Sequence, residues 1–269
     1  MRFLCLHGEG TSAAIFKYQT SSFRQKLNDP SITFDFINGP FLSPPAPGIE
    51  DAYPGPYYSW WEGSEPSLSS IHAAHKALSK ILHDNGPYDG IMTFSQGSAL
   101  LASFLLYAKQ QSSSDASLPF KTAVFICGGI PIPIMQDIGI YVPQKALDID
   151  RASQRNHNAY EEKTNMKKRW ETRNRTSGDF QPTFLNDPQD IYGINFTLVP
   201  KRSLISIPTV HIYGAMDPRF HTSMQLAYFC EPRLRMMFDH EGGRDVPESE
   251  SVSERIAYLV RWASDMAAR

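Results

Sequence analysis

The chain has 269 residues with 41% hydrophobic, 12% aromatic and 20% charged side chains, enough to bury a core within one α/β domain. This composition excludes disordered, collagen-like and coiled-coil architectures. A formal net charge of -2 leaves no electrostatic footprint for nucleic acid or an anionic lipid surface.

Phe3 to Leu6 is too short an apolar run for a helix and stops at His7-Gly8, which predicts a buried strand feeding a loop. The same interruption argues against a secretory signal, and no later stretch has the ~20 apolar residues of a membrane span. Cys5, Cys127 and Cys230 are odd in number and scattered, so they build neither a disulfide framework nor a paired zinc site, and reducing cytoplasm is the expected compartment. The sequons at Asn174-Arg175-Thr176 and Asn195-Phe196-Thr197 then read as chance matches.

Ile32 to Ile37 predicts a second strand, ending at Asn38-Gly39-Pro40, and the proline- and aromatic-rich stretch to Pro66 predicts a long irregular loop. Ser69 and Ser70 are candidate caps of an amphipathic helix carrying Ile71, Ala74, Leu78, Ile81 and Leu82, stopped by Asn85-Gly86-Pro87. Gly90 to Phe94 predicts a strand, Ser95-Gln96-Gly97 a tight turn, and Ser98 to Tyr107 an apolar helix.

Thr122 to Cys127 and Thr209 to Tyr213 have the continuous apolar character of strands covered on both faces of a parallel sheet. Between Pro131 and Pro208 the pattern breaks. There, Asp150 to Arg175 holds eight basic residues against four acidic ones, which marks either a solvated excursion or a lid over a site. Leu234 to Phe238 predicts a last strand, and Val252, Ile256, Leu259, Val260 and Ala263 the inner face of a closing helix. Alternating strands and helices predict an α/β fold, a doubly wound, mostly parallel sheet in a single domain over 1–269, with the lid-like insertion inside 131–208.

A serine at a sharp strand-to-helix turn is held with its hydroxyl exposed beside the N–H groups of the first helical turn, and Ser95 is so placed. The same turn would also suit a capping serine. Glycine-bearing His7-Gly8-Glu9-Gly10 follows the first strand, so the N–H groups of Glu9 and Gln96 are the candidate oxyanion hole. Asp217 follows the strand Thr209 to Tyr213, and His240 follows the next one, completing the order serine, acid, histidine. His221, four residues after Asp217, is a weaker substitute for the base, and none of the remaining histidines has ligand spacing for a metal. Tyr57, Tyr58, Trp60 and Trp61 either pack in the core or wall an apolar substrate pocket.

Taken together, these residues resemble the fungal serine hydrolases of the FSH type, which include trans-acting thioesterases and esterases of polyketide pathways. Six segments carry the resemblance: Leu4-Cys5-Leu6-His7-Gly8, Gly55 to Trp61, Gly86 to Ile91, Phe94-Ser95-Gln96-Gly97, Ile212 to Asp217, and His240-Glu241-Gly242-Gly243. It implies an α/β-hydrolase fold, a Ser-His-Asp triad in which Ser95 and Asp217 match position by position, no cofactor, and a small-molecule or carrier-bound acyl substrate, with a polyketide synthase as the expected partner.

Two positions depart from the family pattern. Thr93 stands where a glycine usually relieves the elbow, and Arg244 stands where H-x-G-G-H-x-x-P has its second histidine, the family's triad base; His240 matches the first histidine and serves as base only if the loop brings its ring beside Ser95. A guanidinium is no base near neutral pH, so the alternative expectation is a triad-degraded hydrolase that binds a metabolite or promotes a non-hydrolytic step such as cyclisation.

Overall fold

The computed structural model describes residues 1–63, 66–111, 118–167 and 189–268, and for 158–167 the backbone alone. In chain order the elements are β1 (Arg2–Leu6), α1 (Ala13–Gln19), α2 (Ser21–Leu27), β2 (Thr33–Ile37), β3 (Phe41–Ser43), β4 (Tyr57–Ser59) and α3 (Leu68–Asn85). Then follow β5 (Gly90–Phe94), α4 (Gln96–Gln111), β6 (Thr122–Ile126), α5 (Ile132–Asp137), α6 (Gln144–Lys167), β7 (Asp190–Ile191) and β8 (Ile194–Asn195). The chain closes with β9 (Thr209–Tyr213), α7 (Phe220–Tyr228), β10 (Arg235–Asp239) and α8 (Glu250–Ala268).

Six strands form one parallel sheet in the order β10-β9-β6-β5-β1-β2. The strands alternate sides, with Leu4, Leu6, Ile91, Ala123 and Phe125 in the core cluster with α3 and α4. Phe3, Cys5, Met92, Phe94, Val124 and Ile126 join the opposite cluster with Phe16, Phe23, Leu27 and the inner face of α8. Both faces are therefore apolar, which is why the central strands read as unbroken hydrophobic runs. The strand order reverses between β1 and β5, and the crevice beyond the carboxyl ends of such a pair is where an open α/β sheet takes a ligand.

The capping residue of α3 is Ser67, whose Oγ accepts the N–H of Ser70 at 3.1 Å; neither Ser69 nor Ser70 caps, because both already lie in the first turn. The aromatic stretch up to Pro66 is not wholly irregular, since β3 and β4 pair antiparallel within it. In the insertion, α6 is a charged helix whose first half docks: Ala146 and Ser153 are buried, while the remainder of the Asp150 to Arg175 segment beyond 167, with the first sequon, lies outside the described residues. Among the described residues no helix is long and apolar enough to cross a membrane.

Candidate active site

Ser95 sits between the last residue of β5 and the first of α4 with φ 52, a left-handed conformation that a non-glycine residue adopts only at a cost. It is tied down by its N–H donating to Ile126 O at 3.0 Å and by its carbonyl accepting from the Ser98 and Ala99 N–H groups. Gly97 makes the tight turn possible, since a Cβ there would lie 2.5 Å from the carbonyl oxygen of Leu6 and 2.8 Å from that of His7. Thr93 is accommodated under the elbow without crowding it: its buried hydroxyl donates to Val124 O at 3.1 Å and pairs with Ser98 Oγ at 2.8 Å.

The loop after β1 is rigidified by buried His7, whose Nδ1 donates to Gly8 O at 2.7 Å while Nε2 accepts the Gly39 N–H at 2.9 Å. Burial lowers the pKa of His7 to about 4, so the imidazole is neutral and holds this tautomer. Glu9 of this loop lines the same pocket as Ser95 and Gln96. Gln96 opens a 16-residue helix, where the backbone N–H has no intrahelical acceptor.

Asp217 follows β9, and its side chain is fully buried. One carboxylate oxygen accepts the Arg219 N–H at 2.7 Å and the other accepts Arg244 Nη1 at 2.9 Å. Arg244 Nη2 then donates to Ser95 Oγ at 2.9 Å. The guanidinium thus bridges acid and serine, the place in which the sequence pattern expects an imidazole. Arg244 arrives there because the loop after β10 is stitched to the loop after β9. His240 N–H donates to Tyr213 O and Met216 N–H to Gly242 O, both at 2.9 Å, while Asp239 Oδ1 accepts the N–H groups of Ala215 and Glu241. Gly214 lets the two loops touch, a Cβ there falling 2.1 Å from Gly242 O.

His240 is not brought to Ser95. Its Nδ1 accepts the Gly242 N–H at 3.2 Å, and its Nε2 is buried without a hydrogen-bond partner. Burial lowers its pKa, opposed by Asp245, Asp239 and Asp217. In this arrangement the Ser95 hydroxyl meets a donor, and a guanidinium accepts no proton. His221 serves neither as base nor as bridge to Ser95: it stands 3.5 Å from Asp150 Oδ1, which also pairs with Arg219 Nη2 at 2.9 Å.

The pocket at Ser95 has a volume of about 200 Å³. Of the four aromatic candidates only Trp61 lines it. Trp60 is in the core, donating from its indole to His7 O at 2.8 Å; Tyr58 is occupied in backbone pairing with the Gly10 and Thr11 segment; Tyr57 donates its hydroxyl to Tyr53 O. Three contributors were not foreseen from the sequence. Arg219 lines the pocket and anchors α6 through Asp150 and Ser153, while Gln154 and His157 of α6 reach the same cavity. Turn residues such as Arg219 carry no periodic signal, and α6 lacks an apolar face that would have announced it. Among the described residues no cluster of three His, Cys, Asp or Glu could hold a metal ion.

The family model described as "Serine hydrolase (FSH1)" matches residues 1–256. Among curated proteins, the chain is 29% identical over 248 residues to Esterase FPY3 of Fusarium mangiferae, covering 92% of this chain and 88% of the relative. It is 27% identical over 280 residues to Esterase alnB of Emericella nidulans, covering 97% and 96%, and 25% identical over 279 residues to Esterase citA of Monascus ruber, covering 97% and 90%. Among solved structures, the Zea mays acyl-protein thioesterase 2 superposes with TM-score 0.52 at 11% identity over 97% of this chain and 93% of that one. Esterase PE8 does so with TM-score 0.51 at 15% identity over 97% and 92%. The sheet is therefore that of an α/β-hydrolase.

Proposed function

The chain belongs to the FSH1 family of serine hydrolases, and from that premise we propose that it cleaves an acyl ester or thioester of polyketide type, with Ser95 as the nucleophile. Its esterase activity class follows from the family and from full-length esterase relatives; the substrate class is our reading of the FSH-type resemblance. The observation that carries Ser95 is its left-handed elbow at the mouth of a pocket, between a buried strand and the N-terminus of α4.

In this reading Ser95 Oγ attacks the acyl carbon, and the carbonyl electrons move to an oxygen held by the N–H groups of Glu9 and Gln96. The hydroxyl proton passes to His240, which requires the 240–245 loop to turn about Gly242 and Gly243 so that the imidazole replaces Arg244 on Ser95. The alcohol or thiol leaves with that proton, and water then releases the acyl group by the reverse transfer. Asp217 orients whichever group faces Ser95, the Arg244 guanidinium or the neutral His240 imidazole. A polyketide synthase would deliver a carrier-bound acyl chain, and α6, whose Gln154 and His157 line the pocket, would act as its lid.

The Arg244 bridge favours a second route for the same site: Ser95 stays a hydrogen-bonding group, and the pocket promotes a step without an acyl-enzyme, such as cyclisation by conformational restraint. A fluorophosphonate probe separates the two. Under the first, a covalent adduct maps to Ser95 by mass spectrometry and disappears in Ser95→Ala, which also loses ~10⁴-fold or more in ester turnover. Absence of any adduct on the folded protein leaves the second route.

A further inference from the structure

Arg219 touches the buried acid and the helix α6 at once. Its backbone N–H donates to Asp217 Oδ1 at 2.7 Å. That backbone is itself fixed: its carbonyl accepts the N–H of Thr222 at 2.9 Å and the Thr222 hydroxyl at 2.8 Å, while the neighbouring Ser223 hydroxyl ties α7 to Gly128 O at 2.8 Å. Its side chain reaches α6. There Nη2 pairs with Asp150 Oδ1 at 2.9 Å, and Nη1 donates to Ser153 Oγ at 2.8 Å and to Asp150 O at 3.3 Å.

The helix needs such a hold. Between Gln144 and His157 only Ala146 and Ser153 are buried, so little apolar surface seats α6 on the domain. Asp150, Ser153, Gln154 and His157 stand at i, i+3, i+4 and i+7, which places them in one stripe along the helix. The first two meet Arg219, and the last two line the pocket with Ser95. The contact that pins the stripe therefore sets where its pocket end lies. Side chains 18% and 28% exposed make up the Arg219–Asp150 pair, so solvent screens it only in part.

We propose that Arg219 is a positioning residue that couples the seat of α6 to the catalytic acid: its guanidinium holds the polar stripe of α6 against the Ser95 pocket, and its N–H holds Asp217. A cover anchored away from the catalytic turn opens without disturbing it. Here the anchor is the turn itself, so cutting the clasp from the α6 side loosens the Asp217 carboxylate as well as the pocket wall. A catalytic group displaced by 1 Å loses rate steeply, which makes the coupling measurable. The inference uses the esterase reading only for its turnover measurement.

The test compares the full chain with Asp150→Ala, Arg219→Ala, the double variant and Arg219→Lys, using p-nitrophenyl acetate and octanoate. Asp150 has Arg219 and His221 as its partners and belongs to α6, yet Asp150→Ala is expected to lower kcat on the short acetate by about 10- to 100-fold. It is also expected to raise the octanoate KM several-fold more than the acetate KM. Arg219→Ala should reproduce both effects, the double variant should be no worse than Arg219→Ala, and Arg219→Lys, which keeps a cation for Asp150, should restore part of both. An unchanged acetate kcat in Asp150→Ala, or effects that multiply in the double variant, overturns the inference. Ser153→Ala is the milder cut, with smaller changes in the same direction, and takes the place of Asp150→Ala if that variant does not fold. Amide hydrogen exchange of residues 144–157 and of Asp217 and Arg219 is followed in the same proteins and needs no turnover. If the wild-type chain cleaves neither ester, the proposed hydrolysis fails and exchange alone decides: faster exchange in both places in Asp150→Ala upholds the coupling, and faster exchange confined to α6, or none, overturns it.

Discussion

Replacing Arg244 by methionine removes the guanidinium but keeps much of the stem, and the consequence follows from what the guanidinium holds. Asp217 has a fully buried side chain, and its two supports are the Arg219 N–H at 2.7 Å and Arg244 Nη1 at 2.9 Å. Taking one partner from a buried pair leaves a charge uncompensated and costs ~3–5 kcal/mol. The Arg219 N–H remains, and the Arg219 guanidinium is close enough to interact with both groups, so the lower end, ~3 kcal/mol, is expected. For a domain of this size ~1 kcal/mol moves Tm by about 2–4 °C, so Arg244→Met should melt ~6–12 °C below the wild type. Adding Asp217→Asn removes the stranded charge while its amide oxygen still accepts the Arg219 N–H. The double variant should therefore recover ~2 kcal/mol relative to Arg244→Met alone, a coupling that urea unfolding of the four proteins measures. A single variant melting within ~2 °C of the wild type, or a double variant no more stable than Arg244→Met, would refute the bridge.

Three further expectations concern the elbow, the base and pH. Gly97→Ala drives a methyl against the Leu6 carbonyl oxygen at 2.5 Å, so it should cost ~1–3 kcal/mol or displace Ser95; unchanged stability together with unchanged fluorophosphonate labelling would contradict the packing. His240→Ala should lower ester turnover by ~10²–10⁴-fold and Arg244→His should raise turnover of simple p-nitrophenyl esters, by seating a proton acceptor on Asp217 without any loop turn; normal rates in the first would remove His240 from the mechanism. Burial lowers the pKa of His7 to about 4 and that of His211 to about 3, so the unfolded chain takes up protons first as pH falls below ~6.5. The stability from keeping these rings neutral is complete above pH ~6.5 and is lost on descent toward pH 4 and 3. At about 1.4 kcal/mol per pH unit this amounts to ~3 kcal/mol for His7, and a melting temperature flat between pH 7 and 4.5 would refute it.

Much of the scaffold was legible in local pattern. The five-residue strands Arg2–Leu6, Gly90–Phe94, Thr122–Ile126 and Thr209–Tyr213 are apolar on both faces because helices cover both sides of the sheet, and continuous apolar runs stopped by glycine report that covering directly. Ser95 at its elbow and Asp217 after its strand were visible for the same reason: a turn that follows a buried strand has a fixed place at the sheet's carboxyl edge. The charged helix α6, the short pair β3 and β4, and α1 and α2 were not, since they are held by tertiary docking such as the Arg219–Asp150 pair more than by their own periodicity. The catalytic neighbourhood shows the limit most sharply. Sequence order alone makes His240 the partner of Ser95 and Asp217, yet which residue of the segment 240–245 reaches them depends on how two loops from different strands lie against each other. Contact of Gly214 with Gly242, and the bonds from His240 to Tyr213 and from Met216 to Gly242, turn that segment so that Arg244 enters and His240 faces its own loop. Those contacts join residues 26 to 28 positions apart, and a linear pattern carries no term for them.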